Sequence, residues 1–334
     1  MPWTRFALLL ICLVVGCGKA QPRVVLYCGQ DREFAEDILK EFTAQTGIRV
    51  DLRTDTEADK SVSLFEALVR ESRHPRCDVF WNGEILNTIR LGQKGLLVPY
   101  ASPASRAGPG WPRSGDGSWH PLAGRARVLM VNTEKLPEAE RPKSIFELTD
   151  AKWKGRVAIA KPAFGTTATH AACMFQALGK NQAERYYREL RPNVTLLPGN
   201  KDVAVAVAAG QYAVGLTDTD DANVEVQRGR PVAIVYPDQD GIGTLFFPNT
   251  VGLIHGGPNP ESGKKLIDFL LSPGVEAQLA NGPSAQIPVN PDVAAQPAVA
   301  TPKTIKPMLV DFDKAAELWE QVQTFLRNEF ARGS

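Results

Sequence analysis

The chain has next to no excess charge of either sign. Its 334 residues carry 38 Lys and Arg against 37 Asp and Glu, a formal +1. That balance excludes a whole-protein basic footprint for nucleic acid, and the 43% apolar content excludes a disordered chain. Histidine is scarce: His74, His120, His170 and His255 fall in no metal-ligand spacing. There is no G-x-S-x-G nucleophile elbow and no G-x-x-x-x-G-K-[ST] phosphate loop, so two common routes to catalysis are missing. Cysteines number five, none in a C-x-x-C pair, which excludes a redox or zinc motif of that kind. Cys12 and Cys17 lie at the extreme N-terminus. Of the others, Cys28 and Cys77 end two apolar strands where a pair is open to them, but buried thiols are the expected state.

Long apolar runs are missing too. The longest, residues 6–15 behind Arg5, is about ten residues, against the roughly 20 needed to span a bilayer. A positive start, a short apolar run and the small Gly16 before Cys17 read as a secretory signal. Residues 1–17 resemble a bacterial lipoprotein signal, in which Cys17 is lipidated and tethers the protein outside the cytoplasmic membrane.

Positively, the length predicts two domains. Residues 23–27 (RVVLY) read as a buried strand, and Phe34, Ile38, Leu39 and Phe42 recur at helical spacing until Gly47. Strand character returns at 48–52, helix at 64–69 and strand at 78–81, so the chain alternates as βαβ units on a parallel sheet. Residues 101–119, rich in Ser, Pro and Gly, read as a long surface loop. Residues 127–132 (RVLMVN) read as a strand crossing into a second lobe. That lobe has strands at 155–160 and 213–217, with helices at 166–178, 181–190 and 202–209. A strand at 250–254 and a helix at 261–271 return to the first lobe. A Pro/Ala-rich connector at 291–307 precedes an amphipathic C-terminal helix whose Phe312, Ala316, Trp319, Val322, Phe325 and Leu326 form a docking face.

Two local features can carry chemistry. Gly165, Thr166 and Thr167 open a helix after a strand, where free N–H groups, hydroxyls and the helix dipole favour an anion; the alternative is capping by Thr. Asp218, Asp220 and Asp221 follow an apolar strand, and carboxylates so close need a cation, a basic side chain or a proton. The alternative is again capping of a helix running to Gln227. Asp218-x-Asp220 also resembles the nucleophile motif of haloacid-dehalogenase-type phosphatases, which would make the chain a Mg²⁺-dependent enzyme. Ala222, the short remaining chain and the absence of a later acidic pair depart from that pattern.

Four segments occur in an order that resembles the ferric-ion-binding class of periplasmic solute-binding proteins, the capture subunits of ABC importers. They are residues 24–31 (VVLYCGQD), 77–84 (CDVFWNGE), 124–132 (GRARVLMVN) and 286–290 (QIPVN). The resemblance implies a non-enzymatic, monomeric α/β protein of the type II periplasmic-binding fold, two lobes joined by crossing strands and closing on ligand. Lobe 1 is then 23–126, lobe 2 is 127–247, 248–290 returns to lobe 1, and 291–334 forms the connector and last helix. It implies an ABC permease as partner and a small solute or metal ion as cargo, with Fe³⁺ or a divalent metal held with phosphate or carbonate. The family's tyrosine pair falls on Thr219 and Asp220, its histidine ligand on Asp31 and its acidic ligand near Asn82 and Glu84. Asp31, Glu84, Asp218 and Asp220, with Asp221 beside them, could still hold a hard cation. Gly165, Thr166 and Thr167 fall on the family's anion site and Arg127 on its arginine. A relative that captures aminophosphonates supplies the alternative, with phosphonate at Thr166 and Arg127 and ammonium at residues 218–221.

Overall fold

The computed structural model describes residues 21–55, 62–295 and 298–331. The secretory signal and Cys17 lie outside the described residues. Strand β1 (Arg23–Cys28) runs parallel to β2 (Arg49–Thr54) and β3 (Val79–Asn82), with Leu26 beside Leu52 on one side and Val79 on the other. Helix α1 (Arg32–Thr46) makes the first crossover, burying Ala35, Ile38, Leu39 and Phe42. It stops at Gly47, whose φ of 69° turns the chain while its N–H donates to the Thr43 carbonyl; that left-handed cap favours glycine. Helices α2 (Val62–Arg70) and α3 (Leu86–Gln93) and the short β4 (Leu97–Val98) complete this half.

The long strand β5 (Trp119–Asn132) is buried over its whole length. The second half follows as β6 (Val157–Ala160), α4 (Gly165–Leu178), α5 (Lys180–Leu190), β7 (Val194–Leu197), α6 (Asn200–Ala208), β8 (Val214–Asp218), α7 (Thr219–Gln227) and β9 (Val232–Val235). Strand β10 (Phe246–Ile254), α8 (Pro260–Leu270) and α9 (Pro273–Asn281) turn back, and α10 (Phe312–Glu317) and α11 (Trp319–Ala331) end the chain. The sheet order is β2-β1-β3-β10-β5-β8-β6-β7, with β4 on β10 and β9 on β5. β10 is antiparallel to β3 and β5, while β5 is antiparallel to β8 and β9. β5 changes partner along its length: Ala126 faces Phe246 of β10 and Arg127 faces Asp218 of β8. Its pairing with β10 breaks register between Pro248 and Asn249. These two strands cross between the halves of a two-lobe α/β fold.

The amphipathic C-terminal stretch does dock on the core, burying Ala315, Ala316, Trp319, Val322 and Leu326, but as two helices that break at Leu318. α10 packs against both α3 and α4. Arg90 of α3 lies between the rings of Phe65 and Trp319, 4.3 and 4.8 Å from their centroids, and donates to Glu320 at 2.6 Å. Cys28, Cys77 and Cys173 are buried, and burial pushes the thiols of the last two well above the usual range. No described helix is long and apolar enough to cross a membrane.

Candidate functional site

Strand β8, buried throughout, ends on Asp218, and the next residues form the first turn of α7. Asp218 occupies the cap position but makes no side-chain cap bond, so capping does not account for its carboxylate. Instead Oδ1 accepts from Arg127 Nη1 at 2.7 Å, and Oδ2 accepts from the Thr166 hydroxyl at 2.5 Å and Asn200 Nδ2 at 3.3 Å. Arg127 also donates to the hydroxyls of Thr166 and Thr167, each at 3.3 Å, and to Asn200 Oδ1 at 3.0 Å. Thus two of the donors expected to face an outside anion, Arg127 and Thr166, are seated on the protein's own carboxylate. Expected as opposite poles, Thr166 and Asp218 are in direct contact.

Asp220 and Asp221 follow on α7, where negative charge suits the positive end of the helix dipole. Asp220 Oδ1 accepts the Asp221 N–H at 3.1 Å, and Oδ2 accepts from Arg125 Nη1. Thr219 is tied to the crossing strand, its hydroxyl accepting the Ala126 N–H at 3.1 Å. One oxygen from each of Asp218, Asp220 and Asp221 lies within 4.8 Å of the others.

Arg125 was not singled out in the sequence, although a signal was there. Residues two apart on a strand share a face, so G-R-A-R sets Arg125 beside Arg127. Arg125 is 3% exposed, and its Nη2 is shared among the Gly83 carbonyl at 2.6 Å, Asn249 Oδ1 at 2.8 Å and Gln30 Oε1 at 3.3 Å. Asn249 Nδ2 in turn donates to Gln286 Oε1 at 2.6 Å. Asp220 first, then Asp218, Asp31 and Asp221, outweigh burial and hold the Arg125 guanidinium firmly protonated. Gln30, Asn200, Asn249 and Gln286 were likewise unforeseen.

The first-lobe acids are placed differently. Glu84, fully buried, accepts the N–H groups of Leu86 and Asn87 at 2.7 and 2.9 Å, so it anchors the start of α3. Its carboxylate also accepts from Asn82 Nδ2 at 2.9 Å and, across to α4, from the Thr169 hydroxyl at 2.7 Å. Asn82 continues to Thr88 at 3.2 Å, which bonds Thr250 of β10 at 2.7 Å. Asp31 is the partly exposed residue before α1, its carbonyl accepting from Phe34 and Ala35. Nearby, Glu33 of α1 meets Lys201 of α6 at 2.9 Å. His170 is packed inside α4; burial first, then Arg127, pull its pKa down to about 3, so it is neutral.

Among the described residues, four buried nitrogens in this region have no hydrogen-bond acceptor: Gln30 Nε2, Arg125 Nε, Arg127 Nε and Gln286 Nε2. The set is all donors. An unmade bond on a buried polar group is costly, so the region is short of acceptors.

A profile of the family described as bacterial extracellular solute-binding protein matches residues 37–307. The iron uptake protein A1 of Synechocystis sp. is 29% identical over 293 residues, 82% of this chain and 79% of its own. The putative 2-aminoethylphosphonate-binding periplasmic protein of Salmonella typhi is 28% identical over 259 residues, 75% of this chain and 73% of its own. In fold, the periplasmic binding protein AfuA from Actinobacillus pleuropneumoniae, solved with fructose-6-phosphate bound, superposes with a TM-score of 0.85 at 24% identity. That alignment covers 94% of this chain and all of AfuA. With more than half its length matched, the chain belongs to the family of bacterial extracellular solute-binding proteins.

Proposed function

We propose that the protein is the capture subunit of an ABC importer and that its cargo is a small organic solute bearing an oxyanion, such as a phosphate, phosphonate or carboxylate. One observation carries the cargo assignment: Asp218 and Asp220 are each engaged by a buried arginine, while the nitrogens left without partners are donors. A site short of acceptors favours a ligand that brings them. In this reading the lobes divide at residues 127 and 248, β5 and β10 act as the hinge, and the solute binds between Asp31 and Gln30 on one side and Arg127, Gly165, Thr166, Thr167 and residues 218–221 on the other. Asn82 and Glu84 hold α3 against α4 in the closed state instead of touching cargo. A ligand bridging both lobes has differential affinity for that state, which drives closure. The chain acts as a binding protein that hands cargo to a membrane permease, tethered through Cys17; Cys17→Ser should release it from the membrane fraction.

Isothermal titration with fructose 6-phosphate, 2-aminoethylphosphonate and inorganic phosphate tests the reading. At least one organic anion should bind at 1:1, and Arg127→Met should weaken it by roughly 10²-fold or more, the scale of a lost buried charge partner. Binding of ferric ion alone, untouched by Arg127→Met, would contradict it. A metal with a synergistic anion is the second reading, favoured by the three carboxylate oxygens within 4.8 Å of one another and by the iron-uptake relative.

A further inference from the structure

We propose that Arg125 is a specificity-determining residue that keeps metal cations out of the cleft by occupying the acidic group at the start of α7. The inference rests on the oxyanion reading and explains how a site with three close carboxylates avoids becoming a metal site. The oxygens of Asp218, Asp220 and Asp221 are grouped as a hard cation would need them. Buried carboxylates this close repel unless positive charge sits among them. Arg125 supplies that charge. Its Nη1 donates to Asp220 from the crossing strand, and the Gly83 carbonyl, Asn249 and Gln30 fix Nη2 from the other side. The guanidinium lies 5.8 Å from the centre of the Phe247 ring. A Cβ on Gly83 would come within 2.8 Å of Nη2 and 3.0 Å of the Gly29 carbonyl oxygen, so a larger residue there would shift the guanidinium from its seat. With Arg127 on Asp218, the two guanidiniums offset the two carboxylates they touch when the halves are together. An entering metal must then displace a buried guanidinium or sit against it. An oxyanionic solute needs only hydrogen-bond donors there, and the Nε atoms of both arginines are buried without acceptors. Selectivity by a built-in repulsion is an ordinary way to reject a competitor.

Calorimetric titration with Tb³⁺, a hard oxygen-seeking cation, tests this on the whole protein. The parent should bind no Tb³⁺ at a single tight site. Arg125→Gln and Arg125→Met should each acquire one site, tighter than any parent binding by about 100-fold or more, the scale of an uncovered buried charge. Adding Asp220→Asn should abolish the gain, and Arg125→Lys, which keeps the charge, should not show it. Arg125→Met retains an apolar stem beside Phe247 and is read if the glutamine variant fails to melt cooperatively. If both neutral variants fold and neither gains a site, or the gain survives Asp220→Asn, the proposal falls while the oxyanion reading stands. If neither folds, Arg125 serves the fold and the proposal also falls. Tight 1:1 binding by the parent would overturn both.

Discussion

The two arginines of β5 are two residues apart and live in different mechanical settings. Arg127 is held entirely by second-half groups: Asp218, Thr166, Thr167, Asn200 and the Leu216 carbonyl. Arg125 is held by Gly83, Gln30 and Asn249 on one side and by Asp220 on the other. A hinge motion that moves one half against the other leaves the surroundings of Arg127 intact and pulls those of Arg125 apart. The first pair therefore lies within one half, and the second joins the two halves.

The largest expected effect is on the first pair. Arg127→Met leaves the Asp218 carboxylate buried without its cation, at a cost of about 3–5 kcal/mol in stability, read as a lower midpoint in urea. On the spanning side, Asp220→Asn should cost less, about 1–3 kcal/mol, because Asp218, Asp31 and Asp221 still bear on Arg125. Equal losses in the two variants would mean that the arginines are equivalent and the comparison is wrong. Glu84→Gln replaces one acceptor oxygen by a donor, facing either Leu86 and Thr169 or Asn87 and Asn82. It should lower the urea midpoint by an amount equivalent to about 1–3 kcal/mol and weaken ligand through closure, with a larger loss than its removal from a rim would give.

Acidity sharpens the contrast. Glu276 of α9 holds the spanning side: its two oxygens accept the Ala123 and Asn290 N–H groups, each at 2.7 Å. Burial, outweighing those bonds, pushes its pKa up from 4.5 to about 7. The folded protein thus keeps a proton that the unfolded chain has released. This contribution is fully present below pH 4.5 and is lost as pH rises to about 7. One pKa unit is about 1.4 kcal/mol, so the swing is on the order of 3 kcal/mol. Denaturation across that window should lose this slope in Glu276→Gln. His170, beside Arg127, works the other way: neutral in the fold, its pKa down at about 3 against an ordinary 6.5, it adds stability as pH rises from about 3 to 6.5, a slope that Glu276→Gln leaves in place. The smallest effect is at the rim: Lys201→Ala breaks an ion pair with Glu33 whose side chains are 46% and 50% exposed. It should change ligand affinity by no more than about 1 kcal/mol, and less in high salt.

How much of this was legible follows from range. The βαβ alternation, the crossing at residues 127–132 and the docking stripe on Trp319 and Val322 depend on local periodicity and were readable. β4, β7 and β9 were missed because they are two to four residues long, and β7 and β9 are only half-buried. Arg127, Thr166 and Asp218 were each singled out from the sequence, but their mutual contact, across 39 to 91 residues of chain, leaves no local mark. Glu84 was offered as a ligand by the resemblance; its bonds to the N–H groups of Leu86 and Asn87 join residues two and three apart and leave no mark in the sequence pattern. Arg125 was hidden by its neighbour, since one arginine sufficed for the expected anion.

The most direct test of the central claim is native mass spectrometry on the full protein purified from its cell envelope without chelator. The account predicts an adduct with the mass of an organic oxyanion, lost in Arg127→Met, and no iron. Stoichiometric iron on the parent protein would contradict it.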